Sequence, residues 1–371
     1  MKAKQIVLSA LAVSVFACAQ TSDKQGAADK QSADKQSAAV EPRPGPQMQA
    51  VLTQLQKLGV KPVEKLTPEQ ARNQPTPADA VKAVLKDQGK STEPMPVGKV
   101  ENRGIPGPGG QIPIRIYWPA SGNSPFPVIH YIHGGGWVIA DLDTYDSSPR
   151  ALANAANAIV VSSHYRQAPE HPFPAAHADS FAAYQWVLAN ADKLGGDPKR
   201  VAVAGESAGG NMAAAITLIA REYGVQMPVH QVLVYPIANY GFSTPSYQQN
   251  AHAAPLSKDA MQWFFDQYLK SPQQGQDPLI SLIDVADLNG LPPATVITAE
   301  IDPLRSEGKH YADLLAQAGV PVDYKNYEGV THEFFGMGAV VDDAKQAVNQ
   351  AAAGLKSSFE QAGAAGRAAP Q

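Results

Sequence analysis

The sequence predicts an α/β fold built on a doubly wound, mostly parallel sheet. Three observations carry that prediction. From residue 128 onward, short apolar runs alternate with helical patterns, as parallel strands buried on both faces alternate with their crossover helices. One run, residues 201–204, passes through Gly205-Glu-Ser-Ala-Gly209 into an alanine-rich helix, so strand, tight turn and helix follow without a gap. The residues that could do chemistry all fall just past the carboxyl ends of predicted strands, where open α/β sheets bind their ligands.

The chain opens with residues that belong to no domain. Residues 1–19 read as an export signal: Lys2 and Lys4 form a positive start, and residues 6–17 are apolar but too few to span a bilayer. Two cleavage sites compete. Ala17-Cys18-Ala19 is an A-x-A site that would leave Gln20 first. Val15-Phe-Ala-Cys18 is similar to a lipoprotein box, which would put a lipid on Cys18 and attach the protein to a membrane. The first reading gives a secreted protein, the second a periplasmic or outer-membrane lipoprotein. Cys18 is the only cysteine, so neither reading leaves a disulfide. Residues 20–47 repeat Asp-Lys-Gln at 23, 29 and 34 and then carry Pro42, Pro44 and Pro46. So little apolar surface cannot offset the entropy of ordering, which predicts a disordered linker. Such a spacer suits a lipid anchor; the bland alternative is an incidental leader.

The folded domain is expected over residues 48–371. The whole chain of 371 residues is 44% hydrophobic and 17% charged, enough for one large core. A net charge of −4 gives no electrostatic footprint for nucleic acid. Val51, Leu52, Leu55 and Leu58 form a helical stripe closed by Gly59. Thr67-Pro-Glu-Gln70 is a helix start with a capping box, and another helix runs from Pro77 to Leu85. Residues 97–105 and 111–118 read as an antiparallel pair, with Pro113 placing its strand at a sheet edge. Strands then follow at 128–132, 159–164, 201–204, 231–235, 294–298 and 322–327, with helices between them and a last helix over 340–359. Residues 241–291 interrupt this alternation with Trp263, Phe264, Phe265 and Tyr268 and no strand pattern, as an inserted segment would.

The chemistry centres on Ser207 in G-x-S-x-G, a pattern that counts only in its strand–turn–helix context. Two further stretches supply that context. His133-Gly-Gly-Gly136 ends an apolar strand, and consecutive glycines let backbone N–H groups point into a cavity. Gly134 and Gly135, with the N–H of Ala208 after the serine, can form an oxyanion hole. Asp302 and His332 each follow a later strand, which gives the order Ser, Asp, His of the hydrolases that use this elbow. Glu300 is the rival acid two residues before Asp302. His130 and His133 flank Tyr131, but with no cysteine or carboxylate cluster beside them no zinc site is expected. Trp137 either lines a pocket or packs.

These motifs identify a resemblance. The sequence is similar to the bacterial hormone-sensitive-lipase-type esterases of the α/β-hydrolase superfamily, in H-G-G-G-W, in G-E-S-A-G-G-N, in Tyr165-Arg-Gln-Ala-Pro-Glu-His-Pro-Phe-Pro-Ala175 and in Asp302-Pro-Leu-Arg-Ser-Glu-Gly308. Glu206 and Ser306 stand where aspartate is common; neither touches the chemistry by position, but either can alter hydrogen bonding around the elbow or the acid loop. The resemblance implies an α/β-hydrolase fold with a helical cap made of residues from about 48 to 90 and 241 to 291; the rival places the first set on the outer sheet face. It implies a serine carboxylesterase for short- to medium-chain acyl esters, with Ser207 as nucleophile, His332 as base and Asp302 as its orienting acid. The D-P-L context favours Asp302 over Glu300. His133 would order the glycine loop, and Tyr165, Arg166 and Glu170 would brace the pocket floor. Neither cofactor nor metal is implied. Amide or formamide hydrolysis by the same triad is the alternative, and a silent ligand-binding relative is opposed by the presence of all three residues.

Overall fold

A computed structural model of the chain describes residues 43–368; the export signal, Cys18 and the linker as far as residue 42 lie outside the described residues. Helix α1 (Pro46–Lys57) begins inside the segment expected to be linker. Proline is at home in the first helical turn, where its missing N–H would have no partner. The Gly45 N–H also donates to the Gly329 carbonyl at 2.8 Å, which fixes the entry of the chain. Helices α2 (Pro68–Arg72) and α3 (Pro77–Asp87) both start with reciprocal capping boxes. Thr67 and Gln70 form the expected one; Thr76 and Asp79 form a second that the sequence reading passed over.

The sheet then assembles in eight strands. The hairpin β1 (Lys99–Gly107) and β2 (Gly110–Trp118) comes first, followed by β3 (Phe126–Ile132), α4 (Ser147–Ala156), β4 (Ile159–Ser163), α5 (Ala175–Asn190) and β5 (Gly196–Glu206). Next are α6 (Ala208–Glu222), β6 (Gln231–Val234), the inserted α7 (Pro245–Gln249) and α8 (Lys258–Tyr268), and β7 (Ala294–Ile301). Helix α9 (Arg305–Gln317), β8 (Val322–Thr331) and α10 (Asp342–Ala368) close the chain. The spatial order is β1-β2-β4-β3-β5-β6-β7-β8, antiparallel among β1, β2 and β4 and parallel from there on. This is the α/β-hydrolase fold.

Pro113 corrects one expectation. Its strand β2 lies inside the sheet, between β1 and β4, and β1 is the edge. The β2–β4 register begins at Ile114, one residue later, so the missing N–H falls where the ladder has not yet started. The Pro113 carbonyl still accepts from the His164 N–H at 2.9 Å.

Period-two alternation divides the core between the sheet's faces. Val161, Val203 and Val296 join Phe181, Met212 and Leu315 from α5, α6 and α9. Val160, Ala202 and Ile297 join Leu152 and Leu355 from α4 and α10 on the other face. The buried side chains Val51 and Leu55 of α1 and Val84 of α3 continue that second cluster, beside Phe334 and Phe335. Trp137 is fully buried and stacks on Tyr268 at 4.6 Å, so it packs.

Two glycines permit the turn from β5 into α6. A Cβ on Gly209 would overlap the Ile132 carbonyl, and one on Gly205 would overlap the Gly209 carbonyl. Because these neighbours are backbone atoms, Gly209→Ala should destabilise the protein by about 1–3 kcal/mol. Urea unfolding measures it, and a loss below about 0.5 kcal/mol, the scale of an ordinary surface substitution, would show that β3 does not confine the turn.

Candidate active site

Ser207 joins β5 to α6 at φ 56° and ψ −119°, a conformation that side chains other than glycine rarely adopt. Its N–H donates to the Val234 carbonyl at 2.9 Å, and its carbonyl accepts from the Asn211 N–H at 3.0 Å. Asn211 is itself tied to the Ile237 and Ile280 carbonyls and to His177, so the first turns of α6 are anchored to the inserted segment.

The structure brings Ser207, His332 and Asp302 into one hydrogen-bonded row. His332 Nε2 lies 2.9 Å from Ser207 Oγ, and His332 Nδ1 lies 2.6 Å from Asp302 Oδ2. All three are buried. An ionised Asp302 can only accept, so Nδ1 carries the ring proton and Nε2 is left to accept from the serine hydroxyl. Asp302 Oδ1 takes the Leu304 N–H at 2.9 Å, and Asn250 donates to the Asp302 and Glu300 carbonyls, which holds the acid loop. Glu300 instead accepts the Gly329 N–H at 2.7 Å. Ser306 exchanges hydrogen bonds with Ser246, pinning α7 to α9.

The glycine loop stands over this row. Gly135 and Gly136 have φ of 95° and 56°, and a Cβ on Gly136 would strike the Phe264 ring. The Gly134 carbonyl is held by His133 Nδ1 at 2.8 Å and by the Tyr165 hydroxyl at 2.7 Å. His133 thus orders the loop, and its Nε2 pairs with His164 Nδ1 at 3.0 Å. Among the described residues, the N–H groups of Gly134, Gly135 and Ala208 have no backbone acceptor, and Gly135 lines the cavity beside Ser207. Arg166 forms a bidentate pair with Asp179. Glu170 pairs with Arg72, whose guanidinium also reaches the Val138 carbonyl at 2.8 Å and the Ala168 carbonyl at 2.7 Å. Arg72 therefore binds the N-terminal segment to the chain just after the glycine loop.

Two more carboxyls surround His332. Glu333 follows it at φ 73° and accepts the Tyr145 hydroxyl at 2.6 and 2.8 Å. Glu206 accepts the Tyr131 hydroxyl at 2.5 Å and that of Tyr235, whose ring lies 4.4 Å from the His332 ring. Burial, and then the charge of Glu333, push the Glu206 carboxyl up to about 7. Burial alone would lower His332, but Asp302, then Glu333 and Glu206, raise it above its ordinary value. Position 206 thus bears on the elbow through its hydrogen bonds to Tyr131 and Tyr235, and its charge also acts on the base through space. Burial drives His130 and His133 down to about 3, so both are neutral. Among the described residues no three His, Cys, Asp or Glu side chains gather as a metal site.

A cavity of about 820 Å³ reaches Ser207 and His332. Leu52, Leu55 and Val60 line it from the N-terminal segment, and Leu256, Met261 and Phe264 from the insertion. Residues 48–90 thus serve both a cavity wall and, through α1 and α3, the core of one sheet face. Tyr145, Tyr235, Glu333 and Arg72 are the site residues that sequence reasoning missed. Only Glu333 carried a signal, its place beside His332.

Known proteins resemble this arrangement. A family model described as alpha/beta hydrolase fold matches residues 129–336. The carboxylesterase NlhH of Mycobacterium tuberculosis is 42% identical over 288 residues, 76% of this chain and 90% of its own. An ethyl acetate hydrolase of Pseudomonas putida is 33% identical over 77% of this chain and 89% of its own. Among solved structures, an esterase of Pyrobaculum calidifontis aligns with a TM-score of 0.74 at 40% identity, over 82% of this chain and 97% of that one. A thermostable esterase from Pseudomonas putida reaches 0.78 at 34% identity, over 86% and 99%.

Glu206 offers a direct test of the buried electrostatics. A carboxyl whose folded pKa is raised to about 7 binds its proton better in the folded state. Its contribution is complete below the unfolded value of about 4.5 and is lost as pH climbs toward 7. Glu206→Gln does not titrate, so its unfolding free energy should gain on the wild type across that window by on the order of 1–3 kcal/mol and then level off. Paired denaturant curves at pH 4.5, 6 and 8 measure the gain, and parallel curves would refute the assignment.

Proposed function

The chain belongs to the hormone-sensitive-lipase-type esterases of the α/β-hydrolase family and is a carboxylic ester hydrolase; on that premise we propose that it cleaves short- to medium-chain acyl esters through Ser207, His332 and Asp302. One observation carries the reading, the continuous row from Ser207 Oγ through the His332 ring to Asp302 Oδ2.

In this mechanism Ser207 Oγ attacks the ester carbonyl carbon while His332 Nε2 takes its proton. Asp302 keeps Nδ1 protonated and stabilises the imidazolium that forms. The carbonyl oxygen becomes an oxyanion within reach of the Gly134, Gly135 and Ala208 N–H groups, each such donor being worth about 10²–10³ in rate in other hydrolases. Collapse expels the alcohol, which takes the proton from His332. A water molecule then repeats the sequence on the acyl-enzyme, releasing the acid and restoring Ser207.

The cavity supports the substrate class. Its volume of about 820 Å³ falls in the range of roughly 300–1,000 Å³ typical of small-molecule sites, and apolar side chains such as Leu52, Leu55, Met261 and Phe264 share its walls with polar ones. Residues 48–90 and 241–291 would act as the cap that encloses the acyl chain and excludes water. Export, with or without a lipid on Cys18, belongs to the same proposal and rests on residues 1–20 of the sequence alone.

Ser207→Ala should abolish ester turnover with little change in thermal midpoint, because one oxygen is lost; more than a few per cent of the wild-type kcat would remove Ser207 from the role. The pH profile tests the base. His332 works when neutral and its pKa is raised, so kcat/KM should climb through a midpoint above the ordinary 6.5. A profile flat from about pH 5 to 9, with a substrate whose chemistry is slow, would rule His332 out.

A further inference from the structure

Three carboxyls stand around the His332 ring, and they differ in what they face. Asp302 is bound to Nδ1 and fully buried. Glu206 is buried under two tyrosine hydroxyls. Of the three, only Glu333 lines the cavity that holds Ser207, with 19% of its side chain exposed. Its Oε1 lies 3.9 Å from His332 Nε2, the nitrogen that exchanges protons with the substrate. That separation is too long for a direct hydrogen bond, and one water molecule at ordinary distances from both atoms spans it. The carboxylate is also held in place. Tyr145 donates its hydroxyl to it at 2.6 and 2.8 Å, and a Cβ on Gly134 would overlap that same hydroxyl. Glu333 keeps its position at φ 73°, a conformation that non-glycine residues adopt at a cost and that gathers at active sites. One proton from Tyr145 leaves most of the carboxylate's lone pairs free to accept.

We propose that Glu333 holds the water that attacks the acyl-enzyme, and so makes the enzyme choose water over alcohols as acyl acceptor. The inference rests on the reading of Ser207 as nucleophile and His332 as base. A water has two O–H groups. One donates to Nε2, the other to Glu333 Oε1, and a lone pair is left for the acyl carbon. As the new C–O bond forms, Nε2 takes the first proton; the C–Oγ bond then breaks and Nε2 passes that proton to Ser207 Oγ. Glu333 neither gains nor loses a proton. An alcohol has a single O–H, which Nε2 requires, so its alkyl group must lie against the carboxylate without pairing it. The charges of Asp302 and Glu333 act on His332 alike for both acceptors, because both give their proton to Nε2. The second hydrogen bond belongs to water alone. The alcohol freed in the first half-reaction stands nearest the acyl-enzyme, and Glu333 biases against its return.

The test measures how the acyl-enzyme divides between two acceptors. The full chain turns over p-nitrophenyl butyrate in rising methanol, and chromatography gives the ratio of methyl butyrate to butyrate. Glu333→Gly, which suits the positive φ, and Glu333→Gln are compared with the wild type. The carboxamide's one oxygen is taken by Tyr145 and its N–H groups cannot accept, so both variants lose the water's second bond. Each should raise the ratio at a given methanol concentration by roughly tenfold or more, the scale of one hydrogen bond to a charged group. Hydrolytic kcat should fall with it, while near-UV circular dichroism stays native. Should Glu333→Gly not fold, Glu333→Gln, which keeps the side chain's volume, decides. A ratio within about twofold of the wild type overturns the inference even if kcat falls, because Glu333 would then act only through its charge on His332. Ser207→Ala separates this from the reading beneath it. If that variant still turns over the ester like the wild type, the reading falls and the inference with it. If it is inactive and the ratio is unmoved, only the role of Glu333 falls.

Discussion

The carboxyl ends of the strands are organised by one backbone turn, Ser207 at φ 56°. A side chain in that conformation is strained by about 1–3 kcal/mol and persists only where its surroundings over-determine it. Here they do. Gly205 and Gly209 let β5, α6 and the end of β3 close to a separation that any Cβ would block. The Ser207 N–H is fixed by β6, and Asn211 fixes the first turns of the helix from the other side. Once the turn is set, the serine hydroxyl stands above the sheet, and the loops after β7 and β8 need only bring Asp302 and His332 alongside.

The electrostatics of the site follow from how many acids it gathers. Three carboxyls surround one buried imidazole, and burial opposes them by penalising its charged form. The acids win, in the order Asp302, Glu333, Glu206. Three tyrosine hydroxyls make such crowding tolerable: Tyr131 and Tyr235 serve Glu206, and Tyr145 serves Glu333, in the place water would otherwise take. A buried carboxyl without those donors would be costly; with them its ionised form is a source of potential held beside the base.

Much of this was legible in the sequence, and the reasons are physical. Unusual backbone geometry needs glycine, so the serine turn and the loop at 133–136 leave marks that survive without a structure. Strands buried on both faces read as apolar runs, which made the layer order accessible. Pro113 shows a limit: the sequence records a missing donor but not whether a neighbouring strand ever reaches it. The tyrosine–carboxylate cluster shows another. Tyr131 and Glu206 are 75 residues apart and Tyr145 and Glu333 are 188 apart, so no local pattern links them. Helix α1 was found and its start misplaced, because the composition of its first turn resembles the linker before it.

Arg72 has a consequence for how the molecule opens. Its guanidinium spans the N-terminal segment, the Val138 carbonyl just beyond the glycine loop, and the Ala168 and Glu170 stretch. A fluctuation that lifts the N-terminal wall off the cavity must break those bonds together and strip two backbone carbonyls of their donor. One side chain thus ties the wall of the cavity to the chain on either side of the pocket floor, so the N-terminal segment is fastened at the point where it covers Ser207.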